Sequence, residues 1–213
     1  MVEMIKAHMY WMQGWENAPP RAKRNYEAWK NAGFDIVLWD DTNCDIVWNK
    51  YIPAAMRADI VLARAQLNIG GFALGADTSP MNVEAMKKSI ELLPEGKGQI
   101  ILQSKESKPR HSDALRPYND ASYFPKGNKF IEQINIHNNN ILKKEFTNVP
   151  NPCHNTGPDM WKKLLQSHRQ YIEFIEAKIA FYREPRVSTF SKDAWLDPGL
   201  TGDWYAKKTN IWK

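Results

Sequence analysis

The most constraining feature of the sequence is a helical pattern that ends at two glycines and is followed by a short apolar run. Met56, Ile60 and neighbouring apolar residues recur at helical spacing over 53–69, and Gly70 and Gly71 can adopt the left-handed conformation that ends a helix. Residues 72–76 then predict a buried strand. Asp77 follows it, where ligands bind in open α/β sheets. We therefore predict Asp77 as a metal ligand, the alternative being a turn former that hydrogen-bonds its own backbone.

Helical and extended patterns alternate through the first half of the chain. Strands are predicted near 4–11, 34–39, 72–76 and 99–103, and helices near 20–32, 53–69 and 82–92. This alternation predicts an α/β fold with a mainly parallel central sheet and helices on both faces. With 213 residues the chain suits one such domain, 1–213.

The second half has two features of its own. Residues 104–128 are polar, contain three prolines and show no sustained period, which predicts a long loop with Asn119 and Asp120 near the site. From residue 158, apolar residues spaced from Trp161 to Ile179 predict one long amphipathic helix packed against the core.

Composition and charge exclude several functional classes. No apolar run reaches the roughly 18 residues that a membrane helix needs, and no secretory signal opens the chain. Cys44 and Cys153 are expected to be free thiols in a reducing compartment, so we predict the cytoplasm. The net charge of +5 is dispersed along the chain, which disfavours nucleic-acid binding.

Several segments occur in an order found in one enzyme family. They are 5–14, an opening strand and its tryptophan loop; 25–29; 34–41; Asp59, Gly70, Gly71 and Asp77; 119–128; and 156–158. The chain resembles retaining GT-A glycosyltransferases with a DXD motif. That family includes yeast-type mannosyltransferases, viral domains that glycosylate capsid proteins and, more distantly, clostridial glucosylating toxins. The likeness covers about residues 4 to 160.

The resemblance implies a GT-A fold and a metal-dependent transfer of sugar from a nucleotide sugar, with UDP favoured, to a glycan or glycoprotein acceptor such as a viral capsid glycoprotein. Residues 1–103 would bind the nucleotide sugar. Residues 104–213 would form the acceptor-side loops, the long helix and the tail. The chain departs from the family at two positions: Gly75 replaces the first acid of the DXD motif, and Leu62 replaces an arginine.

The resemblance also assigns the site residues. Trp11 would stack on the base, and Trp39, Asp40, Asp59 and Gly75 would contact the rest of the donor. For Trp11 the alternative is simple burial. Asp40 and its neighbour Asp41 could both accept hydrogen bonds from the base or ribose, and for both the alternative is the start of a turn or helix. Asp59, as a carboxylate in an apolar helical stretch, must be paired or used.

Metal and catalytic roles fall to a second set of residues. Asp77 would hold Mn²⁺ or Mg²⁺, with His154 as a candidate second ligand. Asp77, Asn119 and Asp120 are the predicted catalytic residues. Trp204, in the tail, is predicted to close over the donor. In retaining enzymes of this type the leaving phosphate helps to take the acceptor proton, whereas an inverting enzyme would need a base such as Asp120, His111 or His154.

Two other functions fit parts of the sequence. Gly75 and Leu62 favour a carbohydrate- or nucleotide-sugar-binding module that has lost turnover, which would bind donor and release no product. A net positive charge would also suit a nucleic-acid-binding domain, which would show steeply salt-dependent binding, but the dispersal of the charge along the chain argues against that function.

Overall fold

A computed structural model describes residues 4–80, 83–102, 117–176 and 181–183. The strands are β1 Ile5–Tyr10, β2 Phe34–Trp39, β3 Gly71–Leu74, β4 Thr78–Pro80, β5 Gly98–Leu102, β6 Pro117–Phe124, β7 Ile172–Glu176 and β8 Phe181–Arg183. The helices are α1 Pro20–Asn31, α2 Ala54–Asn68, α3 Val83–Glu91, α4 Lys129–Leu142, α5 Pro152–Asn155 and α6 Pro158–His168.

Within the described ranges the largest sheet has the strand order β2-β1-β3-β6-β5-β7. β1 pairs parallel with β2 and β3, and β5 pairs parallel with β7. β6 runs antiparallel between β3 and β5. The strands other than β6 therefore share one direction, which confirms the predicted mainly parallel sheet. Their carboxyl ends, together with the start of β6, form one side of the sheet, called here the carboxyl edge.

Helices cover both faces of this sheet, as predicted. Because side chains alternate along a strand, Phe72 and Leu74 of β3 point to one face and Ala73 to the other. One face packs with α1 and α3 through Ala7, Met9, Trp29, Phe34, Phe72, Leu74 and Met86. The other packs with α2, α4 and α6 through Ala63, Ile100, Phe124, Phe130, Ile131, Ile134, Met160, Trp161 and Ile172.

The two glycines between α2 and β3 are required by the backbone. Gly70 has a φ of +84° and Gly71 a φ of +110°. A Cβ on Gly71 would stand 2.4 Å from the carbonyl oxygen of Lys6, which lies in β1. A side chain here would therefore push β3 away from β1. The glycine pair ends the helix as predicted and also lets β3 enter the sheet.

Two predictions for the second half of the chain were wrong. The predicted loop over 104–128 contains a strand, β6, so Asn119 and Asp120 lie in the sheet. The polar residues of β6 show no periodic pattern of apolar positions, so the sequence did not indicate a strand. The strand forms because its backbone pairs with β3 on one side and β5 on the other. Residues 103–116, including His111, lie outside the described residues.

The predicted long helix from residue 158 also ends early. α6 stops at His168, a short 3-10 turn follows, and Ile172–Glu176 forms β7. The segment Ile-Glu-Phe-Ile-Glu fits both a helical and an alternating period, and its parallel pairing with β5 decides for the strand. Cys44 and Cys153 are free thiols, as predicted. In the described part of the chain, no helix has the length and apolar character needed to cross a membrane.

Candidate functional site

The carboxyl edge of the sheet collects most of the predicted site segments. Trp11 directly follows β1, Asp40 follows β2, and the turn of residues 75–78 follows β3. β6 runs the opposite way, so Asn119, near its start, lies at the same edge. Leu74, the last residue of β3, pairs with Ala121 of β6, and Asn119 lies two residues before Ala121 in the chain. Segments far apart in sequence thus meet where ligands bind in sheets of this type.

Asp59 is the centre of a polar cluster at this edge. Asn119 donates its Nδ2 to Oδ1 of Asp59 at 2.5 Å. Thr156 donates its hydroxyl to Oδ2 of Asp59 at 2.7 Å. Hydrogen bonds to an ionised carboxylate are stronger than bonds between neutral groups. The structure therefore joins three segments of the sequence, on α2, β6 and the end of α5, through one carboxylate, as expected for an acid that must be paired.

The cluster also sets the orientation of Asn119. Asp59 as a carboxylate accepts hydrogen bonds only, so the amide nitrogen of Asn119 must face it. The amide oxygen of Asn119 then points away from Asp59 and is an acceptor at the carboxyl edge. This arrangement suits a side chain that receives a hydrogen bond from a ligand hydroxyl.

Asp77 lies in the turn of residues 75–78, called here the Asp77 turn. Thr78 donates its backbone N–H at 3.0 Å and its hydroxyl at 2.7 Å to the carbonyl oxygen of Gly75. From α1, Asn25 donates to the carbonyl oxygen of Ala76 at 2.8 Å and Trp29 to that of Thr78 at 2.9 Å. Asp77 is half-buried. The turn that carries the predicted metal ligand is thus held by its own threonine and by a helix.

The same turn leads into a second, two-stranded sheet. β4 begins at Thr78 and pairs antiparallel with β8, where Thr78 lies opposite Arg183. Chain from the carboxyl-terminal part of the sequence therefore reaches the residue next to Asp77. Trp204, the predicted tail residue of the site, lies outside the described residues.

Trp11 and Trp39 lie side by side at the ends of β1 and β2. The backbone N–H of Trp11 donates to the carbonyl oxygen of Trp39 at 2.9 Å. The indole N–H of Trp11 is buried and meets no acceptor among the described residues. Buried donors are nearly always paired, by protein, water or ligand. The indole N–H of Trp11 is thus available to an acceptor atom that the described chain does not supply.

Trp39 is turned toward the sheet. Its indole N–H donates to Nδ1 of His8 at 3.3 Å, and Nε2 of His8 lies 2.8 Å from the carbonyl oxygen of Gly70. The pKa of His8 is lowered, because the effect of burial outweighs the hydrogen bond to the Gly70 carbonyl, which acts to raise it. A neutral imidazole can accept from Trp39 on Nδ1 and donate to Gly70 from Nε2. Because the indole N–H of Trp39 is bonded to His8, only the ring of Trp39 remains for any contact with a nucleotide sugar.

Asp40 forms a turn with its own neighbours. Its Oδ1 accepts from the N–H of Thr42 at 2.7 Å, the hydroxyl of Thr42 at 2.5 Å and the N–H of Asn43 at 3.1 Å. Burial acts to raise the pKa of Asp40, and these hydrogen bonds from Thr42 and Asn43 outweigh it and lower the pKa. Oδ1 of Asp40 thus stabilises a local turn, and the start of a turn was the alternative to a nucleotide contact that the sequence left open for this residue.

For the neighbouring residue, Asp41, the sequence suggested a contact with the base or ribose or the start of a turn or helix, and it did not indicate the partners that the structure gives. Asp41 accepts hydrogen bonds from the phenol of Tyr10 and from Nη1 of Arg57. The guanidinium of Arg57 lies 5.1 Å from the ring centre of Trp48. Burial, with the Asp41 carboxylate, raises the pKa of Tyr10 well above its usual value, so the phenol stays protonated and donates. No local signal pairs these residues, which come from four different segments.

His154 lies on the short helix α5. Its Nδ1 is 2.9 Å from Oδ2 of Asp159 on α6, and its side chain is 66% exposed. Among the described residues, no three His, Cys, Asp or Glu side chains form a group that could hold a metal ion. An ion at Asp77 would therefore need most of its oxygen ligands from another source, such as a bound diphosphate.

Comparison with known proteins identifies the fold. No family model and no curated protein matches the sequence. Among solved structures, the chain is similar to a protein described as PaToxG glycosyltransferase, with a TM-score of 0.50 and 14% sequence identity. The similarity covers 76% of this chain and 68% of that chain. At this low sequence identity, the structural similarity shows a shared fold and nothing more specific. The chain is therefore similar in fold to a glycosyltransferase.

Proposed function

We propose that the chain is a glycosyltransferase that moves a sugar from a nucleotide sugar, with a UDP-sugar favoured, to a glycan or glycoprotein acceptor. The observation that carries this proposal is the convergence of Asp59, Asn119 and Thr156 at the carboxyl edge, beside the turn of Asp77. The fold similarity to a glycosyltransferase supports the same reaction class.

In the proposed reaction, the acceptor hydroxyl oxygen forms a bond to the anomeric carbon of the sugar as the bond from that carbon to the diphosphate oxygen breaks. The hydroxyl proton goes to the departing phosphate oxygen. The products are the glycoside and the nucleoside diphosphate. No enzymic base is needed in this scheme, so the protein acts by positioning the donor and by stabilising charge.

The chain's own residues would do this positioning. The base would lie on Trp11, whose free indole N–H suits an acceptor atom of the donor. Asn119, oriented by Asp59, would accept a hydrogen bond from a sugar hydroxyl. Asp77 would contribute one carboxylate to a divalent ion, Mn²⁺ or Mg²⁺, which would offset the negative charge that builds on the leaving diphosphate.

The second candidate is a binding module for a nucleotide sugar or glycan without turnover. Gly75 stands where the family has an acid, and both carboxylate oxygens of Asp59 already bind protein side chains. Donor binding without product release would distinguish this module from the enzyme. Release of the nucleoside diphosphate from the donor in the presence of Mn²⁺ would support the transferase.

The experiment is isothermal titration of UDP, GDP and several of their sugars, with and without Mn²⁺. It uses the wild type, Asp77→Asn and the control Asp45→Asn. Asp45 is exposed in the loop before α2, so its replacement makes the same charge change away from the Asp77 turn. We expect manganese-dependent binding of one nucleotide class that Asp77→Asn abolishes and Asp45→Asn keeps. Absence of binding under every metal condition would refute the transferase proposal.

Two finer points belong to the same proposal. A viral capsid glycoprotein is the acceptor class that the sequence resemblance favours, and transfer to a panel of glycan acceptors would test it. The cytoplasm remains the proposed location.

A further inference from the structure

Helix α1 contacts the Asp77 turn through two buried side chains. Asn25 is 7% exposed and Trp29 is fully buried at 0%. They are four residues apart, so they lie on the same face of the helix. Their donors reach the carbonyl oxygens of Ala76 and Thr78, the two residues that flank Asp77. The Ala76–Asp77 and Thr78–Ser79 peptide groups, which lie directly before Asp77 and directly after Thr78, are thus held from one helix.

We infer that Asn25 and Trp29 are positioning residues, which hold the carboxylate of Asp77 in place by clamping the turn on both sides of it. This inference rests on the proposed function, because the position of the Asp77 carboxylate matters only if Asp77 binds a metal ion. It adds a role for α1, which also packs against the sheet through Trp29.

The physical basis is the stiffness of the two donors. Trp29 packs edge-to-face against Phe34, with ring centres 5.1 Å apart and an interplanar angle of 89°. That packing in the core restricts the indole to one orientation. The hydrogen bond to the carbonyl of Thr78 is buried and the one to the carbonyl of Ala76 is part-buried, so the turn cannot leave these donors without a cost in free energy. Small displacements of a group that holds a ligand reduce activity strongly, which gives the clamp its functional value.

Asn25 offers the sharper test of the two, because Asn25→Asp keeps the shape of the side chain and changes its charge and its hydrogen-bonding chemistry. An ionised carboxylate cannot donate to the carbonyl of Ala76 and would repel it, whereas a protonated carboxyl group can donate again. The effect of Asn25→Asp should therefore be large at high pH and smaller at low pH. Loss of packing alone would give no such recovery.

The control variant is Asn31→Asp. Asn31 is the last residue of the same helix and is exposed, so the replacement makes the same charge change without touching the turn. Unfolding by urea at each pH, for wild type and both variants, would separate local from global effects. Amide exchange at Ala73, within β3, reports on the core in the same samples.

The first readout needs no ligand. Hydrogen exchange at the backbone N–H of Thr78, which bonds to Gly75, should be about tenfold faster in Asn25→Asp at pH 8, as expected for one lost hydrogen bond. Ala73 in the same variant, and Thr78 in Asn31→Asp, should exchange as in the wild type. Thr78 exchange unchanged by Asn25→Asp, or accelerated only as much as that of Ala73, would overturn the inference.

The second readout is titration of UDP with Mn²⁺ at pH 8 and pH 5.5. Because Asn25 is 7% exposed, burial should raise the pKa of the carboxyl group introduced there. We therefore expect Asn25→Asp to bind about tenfold more weakly than wild type at pH 8, and to regain part of that affinity at pH 5.5. Wild-type affinity in Asn25→Asp at both pH values would overturn the clamp and leave the proposed function standing. If the wild type itself binds no nucleotide, the proposed function fails, and the exchange of Thr78 still decides whether α1 holds the turn.

Discussion

The hydrogen bond from Thr156 to Asp59 ties the end of α5 to α2, and Thr156→Val removes it while keeping the shape of the side chain. Thr156 is 0% exposed and its hydroxyl lies 2.7 Å from Oδ2 of Asp59. Asp59 keeps its bond from Asn119 in this variant. The change therefore removes one part-buried hydrogen bond to a charged group, together with the weaker 3.5 Å contact of the hydroxyl with the carbonyl oxygen of Pro152.

The expected cost follows from the burial and charge of this bond. Hydrogen bonds to charged groups contribute about 1.5–3 kcal/mol, so we expect the free energy of unfolding to fall by about 2 kcal/mol. In a protein of this length, one kcal/mol shifts the melting temperature by about 2–4 °C. The melting temperature of Thr156→Val should thus fall by about 4–8 °C.

The chain contains a matched control with the same chemistry at the surface. Thr42 donates its hydroxyl to Oδ1 of Asp40 at 2.5 Å, and Thr42 is exposed. Because water can replace this bond, Thr42→Val should cost no more than about 0.5 kcal/mol. Urea denaturation and thermal melting of both variants provide the comparison.

A double-mutant cycle completes the test. In an Asp59→Asn background the charged acceptor is gone, so the cost of Thr156→Val should be smaller than in the wild type. If Thr156→Val and Thr42→Val cost the same, or if the cost of Thr156→Val does not depend on Asp59, the polar cluster does not have the strength argued for it. Asp59 would then not be the charged centre that holds Asn119 and Thr156 at the carboxyl edge.

Two further predictions concern backbone fit and pH. Gly71→Ala should lower the free energy of unfolding by about 3 kcal/mol or more, since its φ is +110° and a Cβ would meet the carbonyl of Lys6 at 2.4 Å. Gly96→Ala, with a φ of +73° and open space, should cost about 1 kcal/mol, and equal costs in urea denaturation would contradict the steric argument. His8, whose pKa burial lowers from 6.5, contributes stability that is fully present above that pH and is lost as pH falls toward the lowered value. Urea denaturation from pH 7.5 to 5 should show a steeper loss for the wild type than for His8→Gln, and parallel curves would show that His8 does not titrate in this way.

Local signals were enough for the first half of the fold. The apolar run over 34–39 and the helical period that ends at Gly70 predicted β2 and α2 with bounds within about two residues. This was possible because turn, cap and periodicity signals come from residues close together in the chain. They failed for β6 and β7. The polar sequence of β6 resembles a loop, and that of β7 fits two periods, so only pairing with β3 and β5 makes them strands.

The candidate site divides in the same way. By itself the sequence determined which side chains end the strands, Trp11, Asp40 and Asp77 among them, because strand and turn patterns are local. The tertiary structure alone decided their partners. Asn119 and Thr156 lie 60 and 97 residues from Asp59, and Asn25 lies 51 residues from the carbonyl of Ala76. Contacts over such separations depend on how the helices and the reversed strand pack together, and no short-range pattern in the chain encodes that.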